Sequence, residues 1–290
     1  MAINAYRNAT PQTPHGQFSS RCSKPMGVAH RDPGGAGNVA LFGNTPLEAM
    51  NSREFVTHFL DFHDAGDSAA TRWTVTDIGG GLGAFGKVAA DSVGGLALLT
   101  VGGATVSHGV QIQENVVATA HSQIHDATLS HVISWEARGS MSFALDSDWF
   151  IGIGSTEAPF MSVAGVPAGD DLMGFLHIQD ATAVQLIQCG TANANLAYVT
   201  PAKSLWTPAD ASITKRSLGI RIENNEKLYW YLDGEQVGEA YVGGLDSLGT
   251  TIVAFAAAMG STECIINNSV GGANTSTATT DYILSQVTRY

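Results

Sequence analysis

The sequence predicts an all-β fold built from antiparallel strands, and three observations lead to this prediction. Apolar residues alternate with polar ones at a period of two in several segments, which is the pattern of strands with one buried face. Glycine is abundant, with 33 in a chain of 290 residues. No long segment has the 3.6-residue period of an amphipathic helix. Many turns without helical periodicity are typical of sandwiches and barrels.

The segment at residues 217–241 carries the clearest strand pattern. Apolar residues alternate with polar ones around two turn dipeptides, Asn-Asn at 224–225 and Asp-Gly at 233–234. Asparagine tolerates positive φ, and Asp-Gly between alternating segments is a strong hairpin signal. The segment therefore predicts a three-stranded antiparallel meander. Alternation places two sets of side chains on opposite faces: Leu228, Trp230 and Leu232 in the core, and Tyr229 and Tyr231 outside.

Further strands are predicted wherever apolar and aromatic residues cluster between turn residues. They lie at residues 55–62, 72–77, 96–101, 109–113, 131–145, 149–154, 172–178, 183–188 and 282–289, with a buried run at 251–259. A glycine-rich turn is expected at 79–86. It is not a phosphate-binding loop, because the Gly-Lys-Ser/Thr ending is absent. The total is twelve to fifteen strands in one domain, without a repeat of fixed period.

Residues 1–53 do not fit the strand pattern and are predicted to form an extended N-terminal arm, while residues 54–290 form the sandwich domain. Five prolines and several glycines interrupt the arm, and short apolar anchors lie between them. A disordered tail usually has fewer such anchors and more charge. The arm is therefore expected to lie on another surface, with one helical turn at 45–50.

The charge of the chain is unevenly distributed. Residues 1–31 contain four Lys or Arg and no acid, a charge of +4, while the rest contains 10 basic and 26 acidic residues, a charge of −16. This asymmetry indicates a partner for the arm, with a solvated tail as the alternative. The candidate partner-binding residues are Tyr6, Arg7, Phe18, Arg21, Lys24 and Arg31.

Composition also bears on surface and compartment. Charged residues make up only 14% of the chain, against about 25% in ordinary soluble domains. No apolar run approaches the roughly 20 residues of a membrane span, and the N-terminus lacks the apolar core of a signal peptide. Synthesis in the cytoplasm is therefore expected. Three distant cysteines, Cys22, Cys189 and Cys264, are expected to be free thiols.

Two further patterns resemble a known fold family. The run Tyr-Trp-Tyr-Leu-Asp-Gly-Glu-Gln-Val at 229–237 resembles the hairpin of concanavalin A-like (laminin-G-like) sandwiches. Trp-Glu-Ala-Arg at 135–138, followed by the aromatic and glycine residues at 150–154, resembles their long strands. The resemblance covers roughly residues 54–290 and implies a two-sheet antiparallel jelly-roll sandwich. It implies little about activity, because this fold hosts lectins, hydrolases, adhesion modules and virion proteins.

No catalytic site is predicted. Sandwich glycosidases need two carboxylates across the scissile bond, and the Glu-x-Asp-x-x-Glu run of laminarinase-type members is absent. Glu136 lies in the middle of a long strand and is expected to be a structural acid paired with Arg138 or Arg221. Gln-Ile-His at 123–125 matches a motif of alginate lyases of this fold, but the partner strands of those enzymes are missing.

No metal, cofactor, nucleic-acid or membrane site is predicted either. Zinc needs three or four convergent ligands, and the histidines at 108, 121, 125 and 131 are expected to be polar loop residues. An acidic body repels phosphate, which disfavours nucleic acid. Loop acids suitable for calcium lack the Asp-x-Asp-x-Asp-Gly spacing; they are Asp64, Asp67, Asp146, Asp148, Asp170 and Asp171.

The whole chain resembles bacteriophage virion proteins that combine a jelly-roll body with an N-terminal arm. The resemblance implies a non-enzymatic capsid decoration (cement) protein, made in the host cytoplasm and located on the virion. Its body would form a homo-oligomer, a trimer or a dimer, and its arm would bind the major capsid protein. The alternative is a carbohydrate-binding or tail-associated adhesion module, in which exposed Trp and Tyr stack on surface glycans. A glycan-degrading enzyme is the third hypothesis and the least favoured.

Overall fold

Fifteen β-strands make up almost all of the described structure. The computed structural model describes residues 55–60, 73–80, 83–87, 97–102, 108–114, 132–142, 146–155, 161, 171–179, 181, 183–190, 196–202, 205, 212–268 and 275–288. Within these ranges, no helix has the length and apolar character needed to cross a membrane. The strands are β1 (Phe55–Leu60), β2 (Trp73–Ile78), β3 (Gly83–Lys87), β4 (Ala97–Val101), β5 (His108–Glu114), β6 (Val132–Ser142), β7 (Ser147–Ser155), β8 (Leu172–His177), β9 (Gln185–Cys189), β10 (Ala197–Val199), β11 (Ser212–Glu223), β12 (Lys227–Leu232), β13 (Glu235–Tyr241), β14 (Met259–Asn267) and β15 (Ser276–Thr288).

The strands form two antiparallel sheets. Sheet A has eight strands in the order β13-β12-β11-β6-β15-β4-β3, and β1 also pairs with β15. Sheet B has seven strands in the order β10-β9-β8-β7-β14-β5-β2. Neighbours in each sheet are mostly distant in the sequence, so the chain crosses repeatedly between the two layers. This architecture confirms the predicted all-β, two-sheet antiparallel sandwich.

The core lies between the two sheets and is joined by hydrogen bonds from tryptophan side chains. Trp135 of sheet A donates from its indole nitrogen to the Ser261 hydroxyl of sheet B, at 3.1 Å. Trp230 of sheet A donates to the Gly174 carbonyl of sheet B, also at 3.1 Å. Both indoles are fully buried. Each donor is therefore satisfied inside the core, which fixes the two sheets relative to each other.

The predicted meander is β11, β12 and β13. Asn224 and Asn225 have φ angles of 53° and 54°, and Asp233 and Gly234 have 51° and 80°, so both turns use the left-handed region that the sequence indicated. Trp230 is buried, as expected, and the tyrosines on either side of it are partly exposed. The predicted register is therefore confirmed.

The run predicted to be buried at 251–259 is buried only at Ile252, Phe255 and Met259, and its backbone groups bond to side chains from other parts of the chain. Phe255 N–H donates to the side chain of Asn225 at 3.0 Å. The N–H groups of Ala256 and Ala257 both donate to the Asp171 carboxylate. The strand begins only at Met259 and continues to Asn267. Both faces of β14 are buried, and the small and polar residues 260–263 interrupt its apolar residues, so the sequence shows there neither alternation nor a continuous apolar run.

Two more segments differ from the prediction. Gly83–Lys87, which overlaps the glycine-rich turn expected at 79–86, pairs with β4 as strand β3. A Cβ at Gly83 would collide with the Gly109 carbonyl oxygen, so glycine here permits close approach rather than a turn. The last strand begins at Ser276, not near residue 282, because the small buried residues Ser276, Ala278 and Thr280 extend its ladder.

The outer face of sheet B carries a second apolar cluster. Phe150, Leu176 and Cys264 belong to it and are fully buried, as is Met161 from outside the named strands. Cys189 and Cys264 are free thiols, as predicted. Sheet B is thus apolar on both faces at its centre, while the polar surface of the meander lies on sheet A.

Candidate functional site

The outer face of the meander, here called the meander face, presents aromatic and polar side chains in adjacent rows. One row is Arg221, Tyr229 and Glu239, which are direct cross-strand partners on β11, β12 and β13. The next row places Tyr231 opposite Gln236, after a register shift at Trp230/Tyr231. Cross-strand partners lie about 5 Å apart, so these side chains form one continuous surface.

Electrostatic contacts confirm that the meander face is one cluster. Partial burial raises the pKa of Tyr229, and the nearby Glu223 adds to the effect. Burial likewise raises the pKa of Tyr231, while Arg221 works to lower it and the Tyr229 hydroxyl adds to the rise. Arg221 in turn pairs with Glu223 at 2.7 Å. The face therefore holds neutral phenols between paired charges, with hydroxyl, guanidinium and amide groups available at its surface.

Glu136 lies in the row beyond Gly219, on the same outer side of sheet A, but it is almost fully buried at 1% exposure. Its carboxylate accepts a hydrogen bond from the Tyr282 hydroxyl, a partner that the sequence did not indicate. Burial raises the pKa of Glu136 to about 8, against the lowering effect of that hydrogen bond. A perturbed acid in a cleft would be a catalytic candidate, but this one is closed to solvent.

The charged groups around Glu136 are arranged in pairs. Arg138 bonds to Asp281 at 3.5 Å, and Lys215 bonds to the same carboxylate at 3.1 Å. Arg216 pairs with Asp233 at 2.6 Å. These partners were not predicted, because they join residues from different strands. The arrangement joins β6, β11 and β15 at the centre of sheet A and ties the turn at Asp233 to β11.

A second buried carboxyl lies between the sheets. Glu263 on β14 accepts hydrogen bonds from the Trp149 indole at 3.0 Å and from the Thr280 hydroxyl at 2.8 Å. Burial raises the pKa of Glu263 to about 7, while these two hydrogen bonds work to lower it. Thr280 belongs to sheet A and Glu263 to sheet B, so the group joins the layers. Its position in the core excludes it from contact with a ligand.

A groove opens beside the meander face at one edge of the sandwich, and we call it the edge groove. It has a volume of about 340 Å³ and lies between β10 and the loop 242–252 that follows β13. Its apolar and polar lining side chains are Val199, Thr200, Glu239, Ala240, Tyr241, Leu245, Asp246, Ser247 and Ile252.

The edge-groove loop is held in place by Asp246. The Asp246 carboxylate accepts the backbone N–H groups of Tyr198, Leu248 and Thr250 at 2.6 to 2.8 Å. Burial works to raise the pKa of Asp246, but these hydrogen bonds outweigh it and the pKa is lowered. The Ser247 hydroxyl adds a bond to the Tyr198 carbonyl at 2.8 Å. The loop is therefore tied to β10, the edge strand of the other sheet.

Most sequence-predicted site residues lie outside the described residues. These are the six arm residues Tyr6, Arg7, Phe18, Arg21, Lys24 and Arg31, the helical turn at 45–50, the motif at 123–125, three of the four histidines, and Asp64, Asp67 and Asp170. Among the acids that are described, Asp148 and Asp171 are buried and accept hydrogen bonds from protein groups. Within the described ranges, no three His, Cys, Asp or Glu side chains are placed to hold a metal ion.

The adhesion hypothesis assumed exposed Trp as well as Tyr. The four tryptophans that the structure describes are buried, namely Trp73, Trp135, Trp149 and Trp230, while Trp206 lies outside the described residues. The edge groove was missed entirely, because its lining comes from β10, β13 and a loop. The only signal in the sequence was the apolar pair at 245 and 248 within a turn-rich segment.

Comparisons with known proteins relate the chain to a fold. No protein-family model matches the sequence, and no curated protein matches it either. Among solved structures, that of an endo-acting O-glycanase from the human gut microbiota aligns with a TM-score of 0.53 and 10% identity, covering 79% of this chain and 97% of that one.

Two other solved structures align less closely. A carbohydrate esterase from the Shiga toxin-encoding bacteriophage phi24B has a TM-score of 0.46 and 14% identity, with 81% of this chain and 98% of that one covered. An endo-1,3-beta-glucanase from Streptomyces sioyaensis has a TM-score of 0.48 and 13% identity, with 80% and 96% covered. At such identities a likeness shows the fold alone. The two packed antiparallel sheets, together with the alignment at a TM-score of 0.53, show that the fold of this chain is an all-β, jelly-roll-like sandwich.

Proposed function

We propose that this chain is a non-catalytic binding protein whose sandwich holds a glycan on the meander face. The observation that carries the proposal is the row structure of that face, where Tyr229 and Tyr231 lie side by side among Arg221, Gln236 and Glu239. Aromatic rings supply apolar contact area at little cost in conformational entropy, and the polar groups around them supply orientation. A sugar offers the matching chemistry, with apolar C–H faces and a rim of hydroxyls.

The charges of the meander face disfavour an anionic ligand. Arg221 pairs with Glu223 at 2.7 Å, whereas Glu239 accepts a hydrogen bond from the neutral Gln236 amide at 3.1 Å and keeps its negative charge. All these groups keep hydrogen-bonding capacity for the hydroxyl groups of a sugar. Solved structures of this fold include proteins that act on glycans. They support the fold of the proposed module and add nothing about its ligand.

The state of Glu136 supports binding without catalysis. This acid lies in the row that runs through Gly219 and Tyr231 of the meander. Its burial and its hydrogen bond with Tyr282 leave no room for a scissile bond beside it. A general acid must come within hydrogen-bonding reach of the proton that it transfers. We therefore assign Glu136 a structural role.

A glycan array of bacterial surface polysaccharides and mucin-type O-glycans tests this proposal, followed by calorimetry with the best-bound glycan. Tyr229→Ala and Tyr231→Ala should each weaken binding by about tenfold or more, the usual effect of removing a central tyrosine anchor. Val75→Ser serves as the matched control, since Val75 is 43% exposed on β2, far from the meander. Retention of no glycan, or unchanged affinity in both tyrosine variants, would refute the proposal.

The capsid decoration function predicted from the sequence remains a second proposal. It is supported by the charge asymmetry, with +4 on residues 1–31 and −16 on the remainder. In this proposal a homotrimeric body sits on the outside of the virion, and the arm binds the major capsid protein through several weak contacts that reinforce one another. Mass spectrometry of purified particles tests it. Hundreds of copies per particle are expected for a shell component, while a few dozen or fewer would place the protein in the tail.

A further inference from the structure

Exposed large apolar side chains cluster in and beside the edge groove. Leu245 is 67% exposed and Tyr241 48%, both in the groove lining, and Leu248 in the adjoining loop is 73% exposed; these are three of the four large hydrophobic side chains exposed in the described ranges. Their loop is tied down by Asp246 and Ser247, so the exposure is a built feature of the surface. Clustered exposed apolar side chains on an ordered loop mark an interaction site.

The edge groove is also acidic. Its lining contains Glu239 and Asp246 and no Lys or Arg. The surrounding sequence, residues 233–252, has four acids and no basic residue. A partner with aromatic and basic side chains complements such a surface, because it fills the apolar part and neutralises the carboxylates.

The N-terminal segment of this chain has that composition. Residues 1–31 carry four basic side chains and no acid. Phe18, Arg21 and Lys24 stand within seven residues of one another, so residues 18–24 combine one aromatic group with two positive charges. A groove of about 340 Å³ accommodates only a short piece of chain, and residues 18–24 supply both the aromatic and the basic groups that complement it.

The strand order of sheet A places this segment within reach of the edge groove. Phe55, the first residue of β1, lies at the same end of sheet A as Tyr241, where the edge-groove loop begins. One row of paired residues crosses the sheet there: Val56, Val287, Ile133, Ile222, Leu228 and Ala240. Five strand spacings separate β1 from β13, or about 24 Å. The 30 residues between Lys24 and Phe55 span up to about 100 Å when extended.

We propose that residues 18–24 dock in the edge groove of their own chain, with Phe18 against Tyr241 and Leu245 and the basic residues near Glu239 and Asp246. A tethered segment with ample reach is present at a high effective concentration, which favours its own groove over that of a second copy at low protein concentration. Docking competes with the predicted capsid contact, because both use the same side chains of the arm.

Cysteine cross-linking in the full-length protein tests this docking. Cys22 lies inside the proposed segment, and the remaining thiols, Cys189 and Cys264, are buried. Thr200→Cys places a thiol in the groove lining at an exposed position, and Ser247→Cys gives a second exposed lining position, in the loop 242–252. Val75→Cys is the matched control, because β2 and β10 are opposite edges of sheet B.

Mild oxidation at micromolar protein, with peptide mapping of the disulfides, gives the readout. A disulfide from Cys22 to position 200 or 247 within one chain should form at least tenfold faster than one to position 75. Glu239→Lys in the Thr200→Cys background should slow it at least threefold. Equal rates at the groove and control positions overturn the proposal, and so does an unchanged rate with Glu239→Lys. Cross-links between chains would show that the occupant is a second copy and that docking on the same chain is wrong.

Discussion

Glu263→Gln is expected to remove a large pH dependence of stability. Burial raises the pKa of Glu263 from 4.5 to about 7 in the folded protein, whereas an unfolded chain restores the ordinary value. Between these two values the folded state binds more protons than the unfolded state, so the free energy of unfolding falls as pH rises from about 4.5 to about 7. At about 1.4 kcal/mol per pKa unit, the loss from this carboxyl is about 3 kcal/mol.

Glutamine copies the protonated form of this side chain. Its carbonyl oxygen accepts from Trp149, and its amide donates to the Thr280 hydroxyl, so both contacts of Glu263 are preserved in geometry. The free energy of unfolding of the variant should therefore equal that of the wild-type protein near pH 4.5 and exceed it by about 3 kcal/mol at pH 8. Urea unfolding followed by tryptophan fluorescence across this pH range measures the difference.

A control variant distinguishes the effect of the buried carboxyl from the effect of removing any negative charge. Glu239→Gln removes the same charge from an exposed position and should leave the pH profile unchanged. Glu136 has the same effect on the stability of all three proteins. The difference between their stability–pH curves therefore reports on Glu263 alone. The reasoning fails if Glu263→Gln keeps the full loss of stability between pH 4.5 and 7, or if it is less stable than the wild-type protein at pH 8.

Three further predictions concern the core, Glu136 and the arm. Trp230→Ala should cost about 3–5 kcal/mol in urea unfolding as a large core truncation, and a cost below 1 kcal/mol would contradict its buried position in the sheet register. Glu136→Gln should leave glycan affinity unchanged in calorimetry, and polysaccharide cleavage by the purified protein that this change abolished would establish an enzyme. A chain beginning at Glu54 should melt cooperatively with the same β-rich circular dichroism but lose binding to particles that lack the protein. Each exposed Arg–acid contact is worth only about 0.2–1 kcal/mol, so salt should loosen the full-length arm only modestly.

Strands could be predicted either from one buried face or from a continuous apolar run. In β11 and β12 the core-facing Leu218, Ile220, Leu228 and Trp230 alternate with side chains on the other face, and that alternation is visible without any tertiary information. The fully buried β7 and β8 were predicted from their apolar and aromatic residues. β14 was missed because Gly260, Ser261, Thr262 and Glu263 interrupt its apolar residues. Their polar side chains are satisfied by partners on other strands, which no local pattern reveals.

The candidate site likewise has features that the sequence predicts and features that only the structure shows. Tyr229 and Tyr231 were placed correctly on the outer face, because period-two alternation decides which side of a strand a residue occupies. The rows that join them to Gln236 and Glu239 depend on a register shift between β12 and β13. The edge groove depends on the approach of β10 to β13, two strands from different sheets. Both features depend on contacts between segments that are distant in the sequence, and neither segment carries a local pattern that predicts the contact.

The sequence by itself determined the all-β class, the two turns of the meander and the inward direction of Trp230, because these follow from local backbone preference and side-chain alternation. Only the tertiary structure decided that Glu136 meets Tyr282, that Glu263 lies between Trp149 and Thr280, and that Asp246 ties its loop to β10. These contacts join residues between 17 and 146 positions apart. Pairing across such distances is set by strand order and register in two packed sheets, and these depend on the packing of the whole chain rather than on any one segment.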